Sequence, residues 1–286
     1  MNTKQISPFA FALVAIGGMS LISPRASAAV NFVAGDLLMG FQATGGVGAG
    51  NTYVYNVGQA SNFRDNPSVG LLTNVNTDLT ATFGADWFTR TDLYWAVGGV
   101  RTNATFGADS TSIVNGDPAR AIYASKVSNG IGTSAAHPGL AVATINTTAT
   151  RMMDSQLGFR TTNGTTPRDA TGSSAGNGVV QGTGDINSWS SRVPVASAPW
   201  TTMPTSVNGN FGTGTGTATA NLDLYRALSN TSTSGVTEPT TPGVFTYQTT
   251  FTIDSIGNIS AVPEPSTTML GGLIAAVGLF RRRRSK

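Results

Sequence analysis

One short alternation limits the fold more than any other feature of this sequence. In Thr52-Tyr53-Val54-Tyr55-Asn56-Val57 the larger apolar side chains Tyr53, Tyr55 and Val57 alternate with Thr52, Val54 and Asn56, and Gly58 stops the run. A period of two puts alternate side chains on opposite faces of a pleated strand. Leu93-Tyr94-Trp95-Ala96-Val97 ends the same way at Gly98-Gly99. Only 11% of the 286 residues are charged, against about 25% in an ordinary soluble domain. Long surface helices are built with Glu, Lys and Arg, so their scarcity argues for sheet. With 35 glycines, tight turns are well supplied. The expected fold class is mainly β. A single β-sandwich-like domain with long Gly/Thr/Ser/Asn-rich loops should span residues 29–261.

Further strands are expected over Asp36-Leu37-Leu38-Met39-Gly40-Phe41 and, late in the chain, from Phe245 to Ile253. Asp254 to Asn258 reads as a turn, and Ile259 to Val262 as a last strand. Helix signals are few. Asn221 to Leu228 has a capping residue and apolar spacing for about two turns, and Pro118 to Val127 reads as a short helix or an edge strand. Ala81-Thr82-Phe83-Gly84-Ala85-Asp86 returns at Ala104 to Asp109, which suggests two equivalent strand ends with Phe inward. Residues 161–188, 201–221 and 231–242 read as loops, with Trp189, Trp200 and Phe211 laid over the core.

The two ends read as addresses. Residues 1–28 have the layout of a secretory signal peptide. Lys4 is the positive start, Phe9 to Ile22 the apolar run, and Ala26-Ser27-Ala28 the small residues that signal peptidase needs. Cleavage is expected after Ala28, with Ala29 the alternative. Residues 262–286 open with Val262-Pro263-Glu264-Pro265. Two prolines around a glutamate hold this segment extended and accessible. Met269 to Phe280 is an uncharged run of 12 residues, about 18 Å as a helix against a hydrocarbon core of about 30 Å. Arg281-Arg282-Arg283-Arg284 follows as a stop-transfer cluster. A short C-terminal transmembrane helix and a transient membrane association are expected.

This order of motif, short apolar helix and arginine cluster resembles the PEP-CTERM sorting-domain proteins of Gram-negative bacteria. The resemblance covers about residues 262–286 and implies processing by exosortase, a membrane enzyme that cuts near the Pro-Glu-Pro motif. It also implies delivery to the cell surface or extracellular matrix, with extracellular polysaccharide as the candidate partner. Gly35 to Phe41 with Tyr53 to Gly58, and Leu222 to Arg226 before Phe245 to Ile259, resemble PEP-CTERM bodies of the Verrucomicrobia type. Those bodies bring no activity with them.

The formal charge of +3 misleads about partners. Of 17 basic residues, Lys4 and Arg25 lie in the leader and five in the tail, while only Glu264 of the 14 acids is in the tail. The body is therefore near −3, with no basic stripe along the sequence to track phosphates. A nucleic-acid partner is not expected. Cysteine is absent, which excludes disulfides, thiolate metal sites and cysteine nucleophiles.

No catalytic signature stands out. His137, the only histidine, is followed by Pro138 and has no Gly-x-Ser-x-Gly elbow to serve. It reads as a surface or turn residue. Asp86, Asp92, Asp109 and Asp117 read as turn-capping aspartates rather than a glycosidase pair. No Asp-x-Asp-x-Asp calcium loop is present, but isolated Asp and Asn side chains with loop carbonyls can build an oxygen cage, so calcium stays open as an alternative. Gly45 to Gly50 lacks the Lys-Ser/Thr ending of a phosphate loop and reads as a hairpin loop. Trp87, Phe88, Tyr94 and Trp95 are expected to pack in the core, the alternative being exposed stacking on sugar rings. No catalytic, cofactor or metal residues are assigned. The expectation is a non-enzymatic surface or matrix protein, and the alternative is a secreted carbohydrate-binding or carbohydrate-active protein on the same route.

Overall fold

The computed structural model describes residues 29–65, 70–101, 113–114, 116–171, 176–182, 184–195, 209–210, 219–229 and 241–262. Ala26, Ala28, Pro263, Glu264, Pro265 and Arg281 to Arg284 lie outside these residues. So do the second Ala-Thr-Phe-Gly-Ala-Asp copy, Trp200 and Phe211.

The strands, in chain order, are β1 (Asp36–Ala43), β2 (Asn51–Gln59), β3 (Leu71–Asn74), β4 (Leu93–Val100), β5 (Ile113–Val114), β6 (Asp117–Pro118) and β7 (Ile122–Ser128). They continue with β8 (Thr161–Thr162), β9 (Thr166–Pro167), β10 (Gly178–Gly182), β11 (Gly209–Asn210), β12 (Thr219–Ala227), β13 (Phe245–Asp254) and β14 (Asn258–Val262). The helices are α1 (Ala60–Asp65), α2 (Asn76–Phe83), α3 (Val142–Arg160) and α4 (Trp189–Arg192), with a 3-10 turn at Trp87–Thr89.

The protein is mainly β, built on one large curled sheet. Ten strands form it in the order β10-β2-β1-β4-β7-β12-β13-β14-β3, with β11 added to β4. Every pairing is antiparallel. The expected pair of stacked sheets is thus one continuous sheet whose two faces each carry a core. Leu37, Met39 and Phe41 point inward with Tyr53, Tyr55, Trp95 and Val97, and they join Leu222, Leu224, Phe251 and Ile259 from the far strands. The alternate residues Leu38, Val54, Ala96 and Ala124 point outward, under α3 and Trp189. The period of two read from sequence is the division between these cores.

Two helical expectations change. Residues 219–227 form a central strand, because Leu222 and Leu224 alternate into the inner core while Tyr225 and Ala227 face the outer one. Residues 122–128 are also a strand, set between β4 and β12 rather than at an edge. Conversely, α3 was not expected. Its Ile145, Ala149, Met152 and Phe159 form a buried stripe at helical spacing against the outer face. The first Ala-Thr-Phe-Gly-Ala-Asp copy ends a helix, not a strand; Phe83 is buried as foreseen and Gly84 turns the chain at φ +94°. Within the segment read as loop, β10 is an edge strand paired with β2.

One glycine sets how closely the outer layer approaches. A Cβ on Gly40 would lie 2.2 Å from Cε2 of Trp189. The bare backbone at Gly40 is what lets the buried indole of α4 lie on the sheet. No described helix is long and apolar enough to cross a membrane.

Candidate functional site

The face of α3 turned away from the sheet lines an open cleft, about 460 Å³ in volume. That lies within the roughly 300–1,000 Å³ of small-molecule sites. Asn146, Thr147, Thr150, Arg151 and Asp154 are its helical wall, at positions opposite the buried stripe. Arg120, from the turn between β6 and β7, and Arg192, from α4, complete it. Among the described residues, three guanidiniums therefore share the cleft with one carboxylate. Arg192 pairs with Asp154 at 3.3 Å and also donates to Asn187 Oδ1. Among the described residues Arg151 has no ion-pair partner, and its side chain is half-buried.

The threonines are wired in one direction. Thr147 Oγ1 donates to Ala143 O at 3.1 Å, and Thr150 Oγ1 donates to Asn146 O at 3.0 Å. Their protons are used inside the helix, so what they offer the cleft is lone pairs. Arg120 holds φ at +64°, a left-handed value that costs a residue bearing a Cβ about 1 kcal/mol or more. Its N–H donates to Arg101 O at 3.0 Å, which fixes that geometry.

A second charged cluster is fully inside. Asp117 accepts from Arg226 Nε at 2.7 Å and from the Tyr123 hydroxyl at 2.8 Å, and Arg64 stands 3.0 Å away. Burial, with the Asp117 carboxylate beside it, pushes the Tyr123 phenol well above its usual pKa. Asp117 is thus no simple turn cap; it ties the segment before β7 to β12 and α1. Asp92 pairs with Arg90 at 2.8 Å, and that hydrogen bond holds its carboxyl below the ordinary carboxylate range. Asp109 lies outside the described residues.

His137 is buried at 3% exposure, not on the surface. Its ring sits between Tyr225 and Phe245, its Nε2 is 3.0 Å from Ser125 O, and burial lowers its pKa to about 4. The nearby Ser134 donates its hydroxyl to Asp223 Oδ2 at 2.7 Å, so serine and carboxylate meet each other without an intervening imidazole. A Ser-His-Asp relay needs the reverse order of contacts.

The glycine-rich loop from Gly45 to Gly50 is the β1–β2 hairpin loop. Arg90 pins it by donating to Gly45 O at 2.7 Å and Val47 O at 2.6 Å. Carbonyls, not N–H groups, are gathered at that point, which is the opposite of a phosphate cradle. Trp87 and Trp95 are both 1% exposed, with Trp95 stacked on Phe41 at 6.1 Å and 13°. Neither ring has a free face for a sugar. No group of three or more metal-ligating side chains occurs among the described residues.

Sequence reasoning did not find the arginine cleft. Its three cations are 31 and 41 residues apart in the chain, and only the fold of α3 brings them together.

The Pro-Glu-Pro segment follows the last strand directly in sequence. Strand β14 ends at Val262, whose carbonyl accepts from Thr249 Oγ1 at 3.0 Å. Ala261 is buried and pairs with Phe251. Pro263 is the next residue. A family model described as the PEP-CTERM protein-sorting motif matches residues 261–284, so its first two positions belong to the strand. No curated protein and no solved structure matches the chain.

Proposed function

From the PEP-CTERM sorting motif that this chain carries, with its implied exosortase-dependent sorting of an exported protein to the cell surface, we propose a non-enzymatic structural or interaction role there. The observation that supports this most is the junction at Val262. A body with two packed cores meets its sorting motif without a spacer, so the β domain is the cargo and the tail the address. Signal peptidase removes residues 1–28 between Ala28 and Ala29. Exosortase then acts at Pro263 to Pro265 while Arg281 to Arg284 hold the tail on the cytoplasmic side of a Gram-negative inner membrane. The short apolar helix associates with the membrane only until that cut, and the released body joins the extracellular polysaccharide matrix.

Replacing Pro263, Glu264 and Pro265 together by Ala tests the reading in cells that make exosortase. The protein should stay in the membrane fraction and leave the cell surface. Unchanged surface display would reject exosortase-dependent sorting.

A second reading is favoured by the cleft on α3. Guanidiniums beside hydroxyl acceptors suit a carbohydrate-binding protein delivered by the same route. Trp87 and Trp95 do not serve it, since both are enclosed. Binding, in this reading, is polar rather than by aromatic stacking.

A further inference from the structure

We infer that the cleft between α3, α4 and the β6–β7 turn binds an acidic sugar, a hydroxyl-bearing ring that carries a carboxylate or sulfate. This rests on the carbohydrate-binding reading and adds to it the ligand's charge.

The charge follows from the lining. Arg120, Arg151 and Arg192 outnumber Asp154 in a body that is otherwise slightly acidic. Guanidinium forks pair with planar or tetrahedral oxyanions through two parallel hydrogen bonds. Arg192 is already held by Asp154, and its Nε is buried without a hydrogen-bond partner. Arg151 has no ion-pair partner among the described residues. The residue is half-buried on the helix, which limits its rotamer freedom.

The hydroxyls follow from the threonines. A bare inorganic anion needs donors only. Thr147 and Thr150 have given their protons to helix carbonyls and face the cleft as acceptors. Acceptors beside an anion site would repel a simple oxyanion, but they fit one whose ring also donates O–H groups. Asn146 can serve either polarity. Among the described residues no aromatic side chain lines the cleft, which disfavours stacked nucleobases.

Arg120 adds an independent point. Position 120 sits at φ +64°, where Gly or Asn is the unstrained choice. A strained residue whose side chain lines a cleft is a common mark of a binding site.

Isothermal titration of the purified full chain with trigalacturonate is the test. Arg120→Gly relieves the left-handed backbone, and Arg151→Ala sits on a helix that favours Ala, so both variants should fold. Each is expected to weaken binding about tenfold or more, given the strength of charge-assisted hydrogen bonds. Asp154→Asn should tighten it. The fully methyl-esterified trimer should bind much more weakly than the acid, and inorganic sulfate should compete poorly. Equal affinity in wild type, Arg120→Gly and Arg151→Ala would overturn the site. Equal binding of the methyl ester would overturn the acidic class while leaving carbohydrate binding intact. Sulfate competing at the same concentration as the trimer, or a short single-stranded DNA binding more tightly, would also overturn it. No binding of either trimer would remove both this inference and the carbohydrate reading, while leaving the sorting account untouched.

Discussion

Arg226 places its Nε 2.7 Å from Asp117 Oδ1, and the arginine side chain has no solvent exposure. The pair is 109 residues apart in sequence. It joins the turn before β7 to the middle of the sheet. With Arg64 also 3.0 Å from the same oxygen, one carboxylate compensates two buried guanidiniums. Removing one member of such a group leaves charge buried and unpaired. Asp117→Asn is therefore expected to destabilise the body by roughly 3–5 kcal/mol. Chemical denaturation measures this directly, and a loss near zero would contradict the buried cluster.

Gly40 and Trp189 make a steric pair. A methyl group at position 40 would lie inside the indole. Gly40→Ala should cost about 1–3 kcal/mol through overpacking and displace α4. Trp189 fluorescence should shift toward that of an exposed indole. Gly182→Ala serves as the control, since this strand glycine also lacks a positive φ and nothing lies within 4 Å of its Cβ position.

His137 predicts a pH dependence whose sign can be worked out. Burial lowers its pKa to about 4, below the unfolded value of 6.5. Between those values the unfolded chain binds the extra proton. The stability held by the neutral ring is complete above pH 6.5 and is lost as pH falls toward 4, by about 3 kcal/mol in all. His137→Phe should flatten this part of the stability profile. Since His137 is the only histidine, its proton resonance titrates without ambiguity.

Strand β14 carries the junction with the sorting motif, and Ile259 within it is fully buried. Ile259→Ala should cost roughly 2–5 kcal/mol. A chain ending at Val262 should unfold like the full chain, whereas one ending at Gly257 loses the strand between β13 and β3 and should not fold cooperatively. A cut by the processing enzyme before Asn258 is thus incompatible with a folded product.

These relationships differ in how far the sequence disclosed them. The alternation around Tyr53 and Tyr55 announced a strand, which the sheet confirms, but not that both of its faces are buried. Residues 221–228 misled because Asp223 and Arg226 break the apolar pattern. Both are buried charges, and their partners Ser134 and Asp117 come from distant segments. Helix α3 was hidden by its own composition. Thr148, Ser155 and Gln156 lie on its buried side, so polar residues blur a stripe that Ile145, Ala149, Met152 and Phe159 do trace. Asp117 read as a turn cap and His137 as a surface or turn residue because nothing local shows burial. The sorting motif was legible since its order of elements is local in the chain.

Mass spectrometry of the protein recovered from the cell surface tests the central claim most directly. The account predicts a mature chain that begins at Ala29 or Val30, ends near Pro263 to Pro265 and lacks Arg281 to Lys286. Surface-displayed protein that still carries Arg281 to Lys286 would contradict it.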